Sequence, residues 1–210
     1  METGRLRRCG SNLDRMTETA RVATPADIDA IVAVLTTAFS GDPLWGPVFQ
    51  HRGPAAPMWR IFATSALRYP WTLVTPGVES AAIWIPPGGA ELTDDEVDRV
   101  RQELTDGAGA AVAKEVMEIF DLFEAARPGD PHCYLSLLGT HDDHRGKGLG
   151  MGLLAESLVR IDELGVPAYL ESSNPANNLR YERLGFAARD RITAPSGHIV
   201  TTMWRTAQSH

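Results

Sequence analysis

Residues 138–151 read Leu-Gly-Thr-His-Asp-Asp-His-Arg-Gly-Lys-Gly-Leu-Gly-Met, and this stretch decides the fold of the chain. The apolar, β-prone run at residues 133–138 leads into it and predicts a strand. Residues 149–164 follow it with leucine and isoleucine at helical spacing, which predicts a helix. The quoted stretch is therefore expected to form a glycine-rich turn between a strand and a helix.

This turn has the composition of an anion site. Glycine at positions 146, 148 and 150 removes Cβ atoms where the helix begins, so backbone N–H groups can close on an anion at the positive end of the helix dipole. We expect that anion to be a phosphate. A Walker A loop is excluded because Gly148 and Leu149, rather than Ser or Thr, follow Lys147, and a Rossmann loop is excluded because position 151 is Met. On its own, such a turn is also typical of a tight connection without a ligand.

A second motif follows at residues 177–186, which read Asn-Asn-Leu-Arg-Tyr-Glu-Arg-Leu-Gly-Phe. A helix end at Gly-Val-Pro and a short predicted strand at residues 168–172 lie between the two motifs. The spacing Arg145-x-x-Gly148-x-Gly150 and the Tyr-Glu-Arg-Leu-Gly-Phe box together resemble the GNAT superfamily of acyl-CoA-dependent N-acyltransferases. Over residues 131–205 the chain is similar to the puromycin N-acetyltransferase branch, which shares the Gly-Lys-Gly-Leu-Gly turn, the Gly-Val-Pro-Ala sequence and the box.

The resemblance implies the GNAT fold, an α/β (α+β) arrangement in which helices flank a mixed, mostly antiparallel sheet of six or seven strands with splayed central strands. Periodicity along the chain predicts strands that fit this sheet at residues 21–23, 71–75, 80–85, 188–194 and 199–205. Helices are predicted to begin near residues 25, 94 and 110, and Gly107 and Gly109 are expected to interrupt the second of these. Gly139 is expected to form a bulge in the strand before the turn, with an ordinary strand end as the alternative.

Length and composition predict one domain. At 210 residues and 43% hydrophobic content, the chain can bury one sizeable core. Residues 1–15 are polar, basic and without periodicity, so we expect a disordered extension followed by a single domain at residues 16–210. Met1 and Met16 both stay open as the native start.

Charge and cysteine content narrow the cellular setting. A net charge of −7 is unfavourable for nucleic-acid binding and suits a cationic amine. The first residues lack the apolar run of a signal peptide, and no stretch approaches the ~20 apolar residues of a membrane span. Cys9 and Cys133 lie far apart without metal-ligand spacing, which predicts reduced thiols and a buried, inert Cys133. We therefore expect a cytoplasmic protein without nucleic-acid or membrane partners, and we leave a homodimer open.

The run His-Asp-Asp-His at residues 141–144 contains metal-ligating residue types. Contiguous residues on a turn point in diverging directions, however, and no distant ligands accompany them. Turn formation and complementarity to the helix dipole explain the two aspartates. We therefore predict no metal cofactor.

The resemblance also implies the residues that hold acetyl-CoA, the expected co-substrate. In GNAT enzymes the strand before the turn splays from its neighbour, so backbone groups at Leu138 and Thr140 would pair with the pantetheine arm, and the Leu138 N–H would stabilise the developing oxyanion. Main-chain amides of the turn would hold the pyrophosphate. Asn177 corresponds to a family asparagine that contacts the coenzyme arm, and capping of the following helix is its alternative role. The implied coenzyme-binding residues are Leu138, Thr140, Arg145, Gly146, Lys147, Gly148, Leu149, Gly150, Met151 and Asn177.

Acetyl transfer to an amine needs a base for the ammonium proton and an acid for the leaving thiolate. Tyr181 corresponds to the family tyrosine near the coenzyme sulfur, where a phenol can protonate the thiolate; a packed helix tyrosine is the alternative. Glu171 ends the strand that faces the acceptor side and is the candidate base, with a solvated carboxylate that orders the loop as the alternative. His132 and Tyr134 are weaker candidates for the base.

The segment at residues 39–69 is rich in proline and aromatic residues, and in GNAT relatives it walls the acceptor site. Core packing is the favoured interpretation for Trp59 and Phe62, while Phe39 and Trp45 are equally compatible with binding. The sequence thus predicts an N-acetyltransferase that moves acetyl from acetyl-CoA to a primary amine of a small molecule, with an antibiotic as one candidate by analogy. The alternatives are an acyl-CoA-binding regulatory or catalytically silent GNAT-like domain, and an acetyltransferase for peptide or protein amines.

Overall fold

A computed structural model describes residues 20–49 and 55–208. Seven strands in this part of the chain form one sheet with the order β1-β2-β3-β4-β5-β7-β6. All neighbours are antiparallel except β4 and β5, which are parallel. The strands are β1 Arg21–Val22, β2 Thr72–Val74, β3 Ser80–Ile85, β4 Cys133–Thr140, β5 Ala168–Ser172, β6 Ala187–Thr193 and β7 Ile199–Arg205. The predicted mixed, mostly antiparallel sheet is confirmed.

Seven α-helices in the described residues flank the sheet. They are α1 Ile28–Ser40, α2 Trp45–Phe49, α3 Ala56–Ala66, α4 Asp94–Ala108, α5 Ala110–Ala126, α6 Leu149–Glu163 and α7 Asn178–Glu182. Helix α4 begins with a capping box in which the Thr93 hydroxyl accepts from the Glu96 N–H, which satisfies a backbone donor at the helix start. Gly109, at φ 93°, separates α4 from α5 as predicted. The expected break at Gly107 is wrong, because this exposed glycine continues α4 at a cost of only ~1 kcal/mol.

Apolar side chains cover both faces of the sheet. On one face, helices α1 to α5 pack through residues such as Leu35, Trp59 and Val116. On the other face, α6 and α7 pack through residues such as Leu154 and Tyr181. Because both faces are covered, a place where two strands separate would give a ligand access to the central strands.

The central strands β4 and β5 separate part-way along their length. Their parallel pairing runs from Cys133 opposite Ala168 to Leu135 opposite Leu170 and then stops. Strand β4 nevertheless continues to Thr140, paired with β3 on its other side. The predicted splay is therefore present, and it leaves a gap beside the second half of β4.

A bulge in β4 lies just where the gap opens. Ile83 of β3 pairs with Leu137 and Trp84 pairs with Leu135, so Ser136 is the extra residue. An extra residue shifts the alternation of backbone groups along the strand. The strand therefore presents a different set of peptide groups to the gap than an unbroken strand would.

The expected bulge at Gly139 is wrong. Gly139 stays in register with Ala81 of β3. A Cβ at this position would lie 3.0 Å from the Cβ of Ala38 on α1, so the glycine allows close packing of α1 against the strand.

The predicted extension at residues 1–15, the alternative start at Met16 and Cys9 lie outside the described residues. The described chain is anchored at its beginning by Ala20, whose N–H donates to Glu156 Oε2 at 3.0 Å. None of the described helices is long and apolar enough to cross a membrane.

Candidate active site

A cavity of about 980 Å³ extends along the gap between β4 and β5. One end, which we call the turn end, is lined by Gly146, Gly148, Leu149, Gly150 and Met151. The other end lies among helices α1 to α5, and we call it the aromatic end because its lining includes Phe39, Trp45, Trp59, Phe62, Phe120 and Phe123. Leu138, Thr140 and Glu171 line the passage between the two ends.

The glycine turn has the backbone that the sequence predicts. Gly146 and Gly148 have φ of 77° and 78°, a region that is unfavourable for residues with a Cβ. Gly148 is the N-cap of α6, so the first amides of this 15-residue helix face the turn end. Gly150 has another role, since a Cβ there would lie 2.7 Å from Thr140 Oγ1. That glycine lets α6 pack closely on β4.

The two basic side chains of the turn are engaged elsewhere. The Arg145 guanidinium donates to the carbonyl of Ala38 at 2.9 Å and pairs with Asp142 at 2.8 Å, which ties the turn to the end of α1. Lys147 Nζ donates to the carbonyl of Asp143 at 3.2 Å, and its side chain does not line the cavity. In the structure the turn end is therefore built mainly of main-chain groups.

The peptide groups of Leu138 and Thr140 turn toward the gap. The His141 N–H donates to the Glu79 carbonyl at 2.9 Å, which makes these two a hydrogen-bonded pair of the β3–β4 ladder. Bonded and non-bonded pairs alternate in an antiparallel ladder. Thr140 and Leu138 therefore occupy non-bonded positions, and their N–H and C=O groups point away from β3 to the side where β5 has separated.

The structure brings Tyr181 to the wall of the cavity. This residue of α7 is only 9% exposed, and its ring packs edge-on against Phe186 at 6.1 Å between centroids. Burial raises the pKa of its phenol to about 12, and the negative charge of Asp42 adds to the rise. Tyr181 is thus packed and adjoins the cavity, which is compatible with both interpretations of it.

Asn177 also lines the cavity, at the N-cap position of α7. Its side chain makes no capping bond there; instead, Asn177 Oδ1 accepts from the Arg180 guanidinium at 3.0 Å. Asn174 caps the 3-10 turn Pro175–Asn177 that precedes α7, since its Oδ1 accepts from the Ala176 N–H at 3.0 Å. The capping alternative for Asn177 is therefore wrong.

Glu171 on β5 is surrounded by protein yet keeps part of its surface open to the cavity. Its Oε1 is buried without a hydrogen-bond partner in the described structure. Burial raises the pKa of the carboxyl to about 7, while the charge of Arg127 and the hydroxyls of Tyr134 and Tyr169 oppose the rise. The alternative of a solvated strand-end carboxylate is wrong, because the surrounding side chains bury Oε1 and this burial is the first cause of the raised pKa.

The two weaker candidates for the base are separated by the structure. Tyr134 lines the cavity close to Glu171, and burial raises the pKa of its phenol well above the ordinary value. His132 does not line the cavity; its ring packs against Tyr169 and Trp204, and its Nδ1 lies 2.6 Å from the Asp130 carbonyl. Burial lowers the pKa of His132. The structure therefore removes His132 from the candidate site.

Two charged residues of the site were not predicted from the sequence. Arg127 stacks over the Tyr134 ring at 4.0 Å from its centroid and pairs with Glu91 at 3.4 Å and Glu124 at 2.9 Å. Burial works against the charge of Arg127, but Tyr134, Glu91 and Glu171 raise its pKa above the ordinary value. Burial raises the pKa of Glu91. A usable signal existed: Glu91 precedes and Arg127 follows the α4–α5 hairpin, whose two ends must lie together.

The aromatic residues of segment 39–69 serve both proposed roles at once. Trp45, Trp59 and Phe62 are buried in the core and also line the cavity, as does the half-buried Phe39. Phe39 stacks on Trp59 at 5.0 Å between ring centroids. The same rings therefore pack in the core on one side and form the wall of the cavity on the other.

The remaining chemical expectations concern metals and thiols. In the part of the chain that the structure describes, no group of three or more His, Cys, Asp and Glu side chains could hold a metal ion. Cys133 is a free, buried thiol whose pKa burial raises to about 11, so its predicted burial is confirmed.

Comparisons with known proteins agree with this geometry. The model of the acetyltransferase (GNAT) family matches residues 91–186, which include β4, the glycine turn and the Tyr-Glu-Arg-Leu-Gly-Phe box. This match and the solved structure from Corynebacterium glutamicum described below support an assignment to the GNAT acetyltransferase family. Mycothiol acetyltransferase of Propionibacterium freudenreichii is 33% identical to the chain over 115 residues, which make up 51% of this chain and 37% of that protein. The chain thus matches little more than a third of this GNAT relative's length.

Solved structures show the GNAT fold over almost the whole chain. A structure described as histone acetyltransferase HPA2 and related acetyltransferase, from Corynebacterium glutamicum, superposes with a TM-score of 0.60 and 25% identity, over 91% of this chain and 97% of that one. Arylalkylamine N-acetyltransferase 2 from Aedes aegypti has a TM-score of 0.64 and 16% identity, over 90% of this chain and 99% of that one. The second likeness concerns the fold alone.

Proposed function

We propose that this chain is an N-acetyltransferase that moves the acetyl group of acetyl-CoA to a primary amine of a small molecule. The observation that carries this proposal is the continuity of the cavity, which joins the turn end to Glu171 through the gap between β4 and β5. A thioester that extends from the turn end and an amine that enters from the aromatic end would meet beside that carboxylate. Holding two reactants together in this way removes much of the entropic barrier to their reaction.

The turn end suits a coenzyme that has a pyrophosphate and a long arm with amide groups. Amides at the start of α6 provide donors and the positive end of a helix dipole for the phosphates. Peptide groups of Leu138 and Thr140 offer the hydrogen bonds of a missing neighbour strand to the amides of the arm. Asn177 lies on the same wall. Acetyl-CoA, when bound, supplies an activated acetyl thioester.

Glu171 would remove the proton that makes the acceptor unreactive. A primary amine is mostly ammonium at neutral pH, and its nitrogen can attack only after the proton has left. A carboxyl with a pKa of about 7 is half ionised at that pH, so it can accept this proton and release it again. Both the position of Glu171 in the cavity and the pKa of its carboxyl therefore support its role as the base.

Leu138 and Tyr181 would stabilise the other charges of the reaction. The Leu138 N–H faces the gap and can donate to the thioester oxygen as negative charge develops there. A C–N bond forms while the C–S bond breaks, and the electron pair leaves with the sulfur. Tyr181, whose pKa of about 12 keeps it protonated, can donate the proton that converts the thiolate to a thiol, and the second proton that nitrogen loses as the amide forms restores the phenol.

A small-molecule acceptor is the favoured class. The cavity has an aromatic end that lies among five helices, and such a concave site suits a small molecule better than a protein surface. The name of mycothiol acetyltransferase is consistent with this choice. The likeness of residues 131–205 to the puromycin N-acetyltransferase branch makes antibiotics candidate acceptors within this class, by analogy.

Removal of one oxygen atom tests the mechanism. Tyr181→Phe keeps the ring that packs against Phe186, so we expect the fold and the coenzyme-induced rise in melting temperature to persist. Thiol release from acetyl-CoA with an accepted amine should slow by on the order of 10²-fold when chemistry limits the rate. Tyr69→Phe is the matched control, since the Tyr69 side chain does not line the cavity and its hydroxyl bonds to the backbone of Ala90.

Two outcomes would contradict the proposal at different points. Wild-type turnover in Tyr181→Phe would mean that Tyr181 only packs in the fold, while the proposed acetyl transfer and the role of Glu171 would still hold. A chain that is stabilised by acetyl-CoA but releases no thiol with any amine of a broad panel would be an acyl-CoA-binding regulatory domain instead.

A further inference from the structure

The aromatic end is an apolar chamber built from four separate helices. Phe39 ends α1, Trp45 begins α2, Trp59 and Phe62 lie on α3, and Phe120 and Phe123 lie on α5. Trp45 is the hub, with its ring centroid 5.8 Å from Trp59, 6.2 Å from Phe120 and 6.4 Å from Phe123. Edge-to-face contacts of this kind fix the positions of the rings and so preform the chamber.

Other apolar side chains complete the walls between the rings. Leu92, Val97 and Met117 line the same end of the cavity. Methionine beside aromatic rings adapts to flat apolar guests. The part of an acceptor that enters this chamber is therefore expected to be apolar, and its flat shape would match the ring faces.

The charged residues that line this chamber include an acidic cluster with Arg101 at its outer side and Glu171 at its inner side. Asp94, Asp121 and Glu124 are exposed at its outer side, on α4 and α5. Glu171 lies at its inner side, beside the gap. Acidic groups at the entrance attract a cation, and an acidic group at the far end receives it.

Arg127 makes the inner side unsuitable for a second positive charge. It lines the cavity beside Glu171, and its own charge is matched by Glu91 and Glu124. An ammonium at Glu171 completes the pairing there, whereas a second ammonium a few atoms away would lie among the rings or near Arg127. The inner part of the chamber thus favours acceptors whose only ammonium group lies at Glu171.

We propose that the acceptor is an arylalkylamine-type monocation: a primary amine joined by a short linker to a flat, apolar ring. The ammonium lies at Glu171, and the ring lies against the cavity-facing sides of Trp45, Trp59, Phe120 and Phe123. This assignment rests on the proposed acetyl transfer and adds the class of acceptor.

Four amines test the assignment in the thiol-release assay with acetyl-CoA. We expect 2-phenylethylamine to exceed ethylamine in kcat/KM by at least ~10²-fold, because each buried carbon adds to affinity. We expect 2-cyclohexylethylamine to lie between them and putrescine, with two ammonium groups, to be no better than ethylamine. A preference for putrescine or an aminoglycoside over 2-phenylethylamine would overturn the acceptor class while acetyl transfer itself stands.

A pair of variants on α5 ties the preference to the chamber. Phe120→Ala removes a ring that lines the cavity, and we expect the ratio of kcat/KM for 2-phenylethylamine over ethylamine to fall by ~10-fold, mainly through KM. Leu122→Ala is the matched control, since Leu122 lies on the same helix and does not line this cavity. An unchanged ratio in Phe120→Ala would overturn the assignment of the ring's position.

A binding measurement separates this inference from the proposed reaction. With coenzyme A present, 2-phenylethylamine should raise the melting temperature and quench tryptophan fluorescence, because two tryptophans line the chamber. Such binding without any thiol release would overturn acetyl transfer and support the ligand class. Absence of both binding and turnover with 2-phenylethylamine would overturn the ligand class.

Discussion

The two ends of the cavity are built on different principles. The turn end consists of main-chain groups from consecutive residues, with the glycines of positions 146–150 setting the backbone. The aromatic end, together with Glu171, consists of side chains from helices α1 to α5 and strand β5, which are distant in sequence. A site made of backbone amides is encoded locally by the residues that permit its shape. A site made of side chains exists only when the whole fold assembles.

Titratable groups sharpen this contrast. The aromatic side of the cavity brings together Glu91, Arg127, Tyr134 and Glu171, and burial is the first cause of the raised pKa of each of its acids. Elsewhere in the protein, carboxylates serve stability: Glu96 pairs with Arg68 at 2.8 Å, and its pKa is about 2. A buried carboxylate with a raised pKa costs stability, which makes Glu171 a candidate for a functional role.

The largest expected effect comes from neutralising that carboxylate. Glu171→Gln should lower kcat/KM by ~10²–10⁴-fold, as expected for loss of a general base. The pKa of Glu171 is about 7 in the fold against 4.5 ordinarily, so the folded state binds more protons between these values and loses stability as the pH rises through them. This shift corresponds to about 3 kcal/mol, part of which the amide recovers, so the melting temperature at pH 8 should rise by ~3–6 °C.

The pH dependence supplies the control for this variant. At pH 4 the wild-type carboxyl is protonated in both states, so the difference in melting temperature between Glu171→Gln and wild type should shrink toward zero. A variant that is less stable than wild type at pH 8, or that keeps full activity, would show that Glu171 is an ordinary structural residue.

A smaller effect is expected at the turn end. Gly148 has φ of 78°, which a β-branched residue adopts at considerable cost, so Gly148→Val should distort the amides that face the cavity. If the affinity for acetyl-CoA falls by ~10-fold, the stabilisation by millimolar coenzyme falls by about 1.4 kcal/mol, or ~3–6 °C in melting temperature. Gly152→Ala is the control, because this glycine of α6 is exposed and has nothing within 4 Å of an added Cβ. If coenzyme raised the melting temperature of both variants equally, the turn would not be the site that binds the phosphates.

The same contrast explains what could be predicted from the sequence. The turn end could be predicted because its glycines, the strand before them and the helix after them are contiguous and obey local rules. Leu138 and Thr140 came from the resemblance, and their orientation depends on a bulge at Ser136 that arises from pairing with β3. No local pattern marks that residue, whereas Gly139 attracted the prediction because glycine is permissive. Its actual role is to admit α1, a contact between residues about a hundred positions apart.

The aromatic end could be predicted only in part. Periodicity identified the helices and their buried faces, but it could not show which buried rings also border a cavity, because a ring has two sides. The role of Arg127 depends on partners brought together by the α4–α5 hairpin and the sheet. Glu171 was identified from its place at a strand end, while its burial depends on side chains that the fold brings to it, among them Tyr134 and Tyr169.

The smallest expected effect, and the one that tests the side-chain network most directly, is a shift in pH dependence. A base must be deprotonated to act, so kcat/KM should rise with pH through the pKa of Glu171, about 7. Arg127→Gln removes the positive charge that holds this pKa down, so the rising limb should move to higher pH by ~1 unit, with activity recovered near pH 9.

Loss of Arg127 also leaves Glu91 buried and unpaired, so Arg127→Gln combined with Glu91→Gln separates the two contributions. Arg101→Gln is the matched control, since Arg101 is an exposed residue of the cavity wall that pairs with Asp98. If the rising limb of the kcat/KM profile of Arg127→Gln stayed at the wild-type pH, with folding and coenzyme binding intact, the charge of Arg127 would not set the acidity of Glu171.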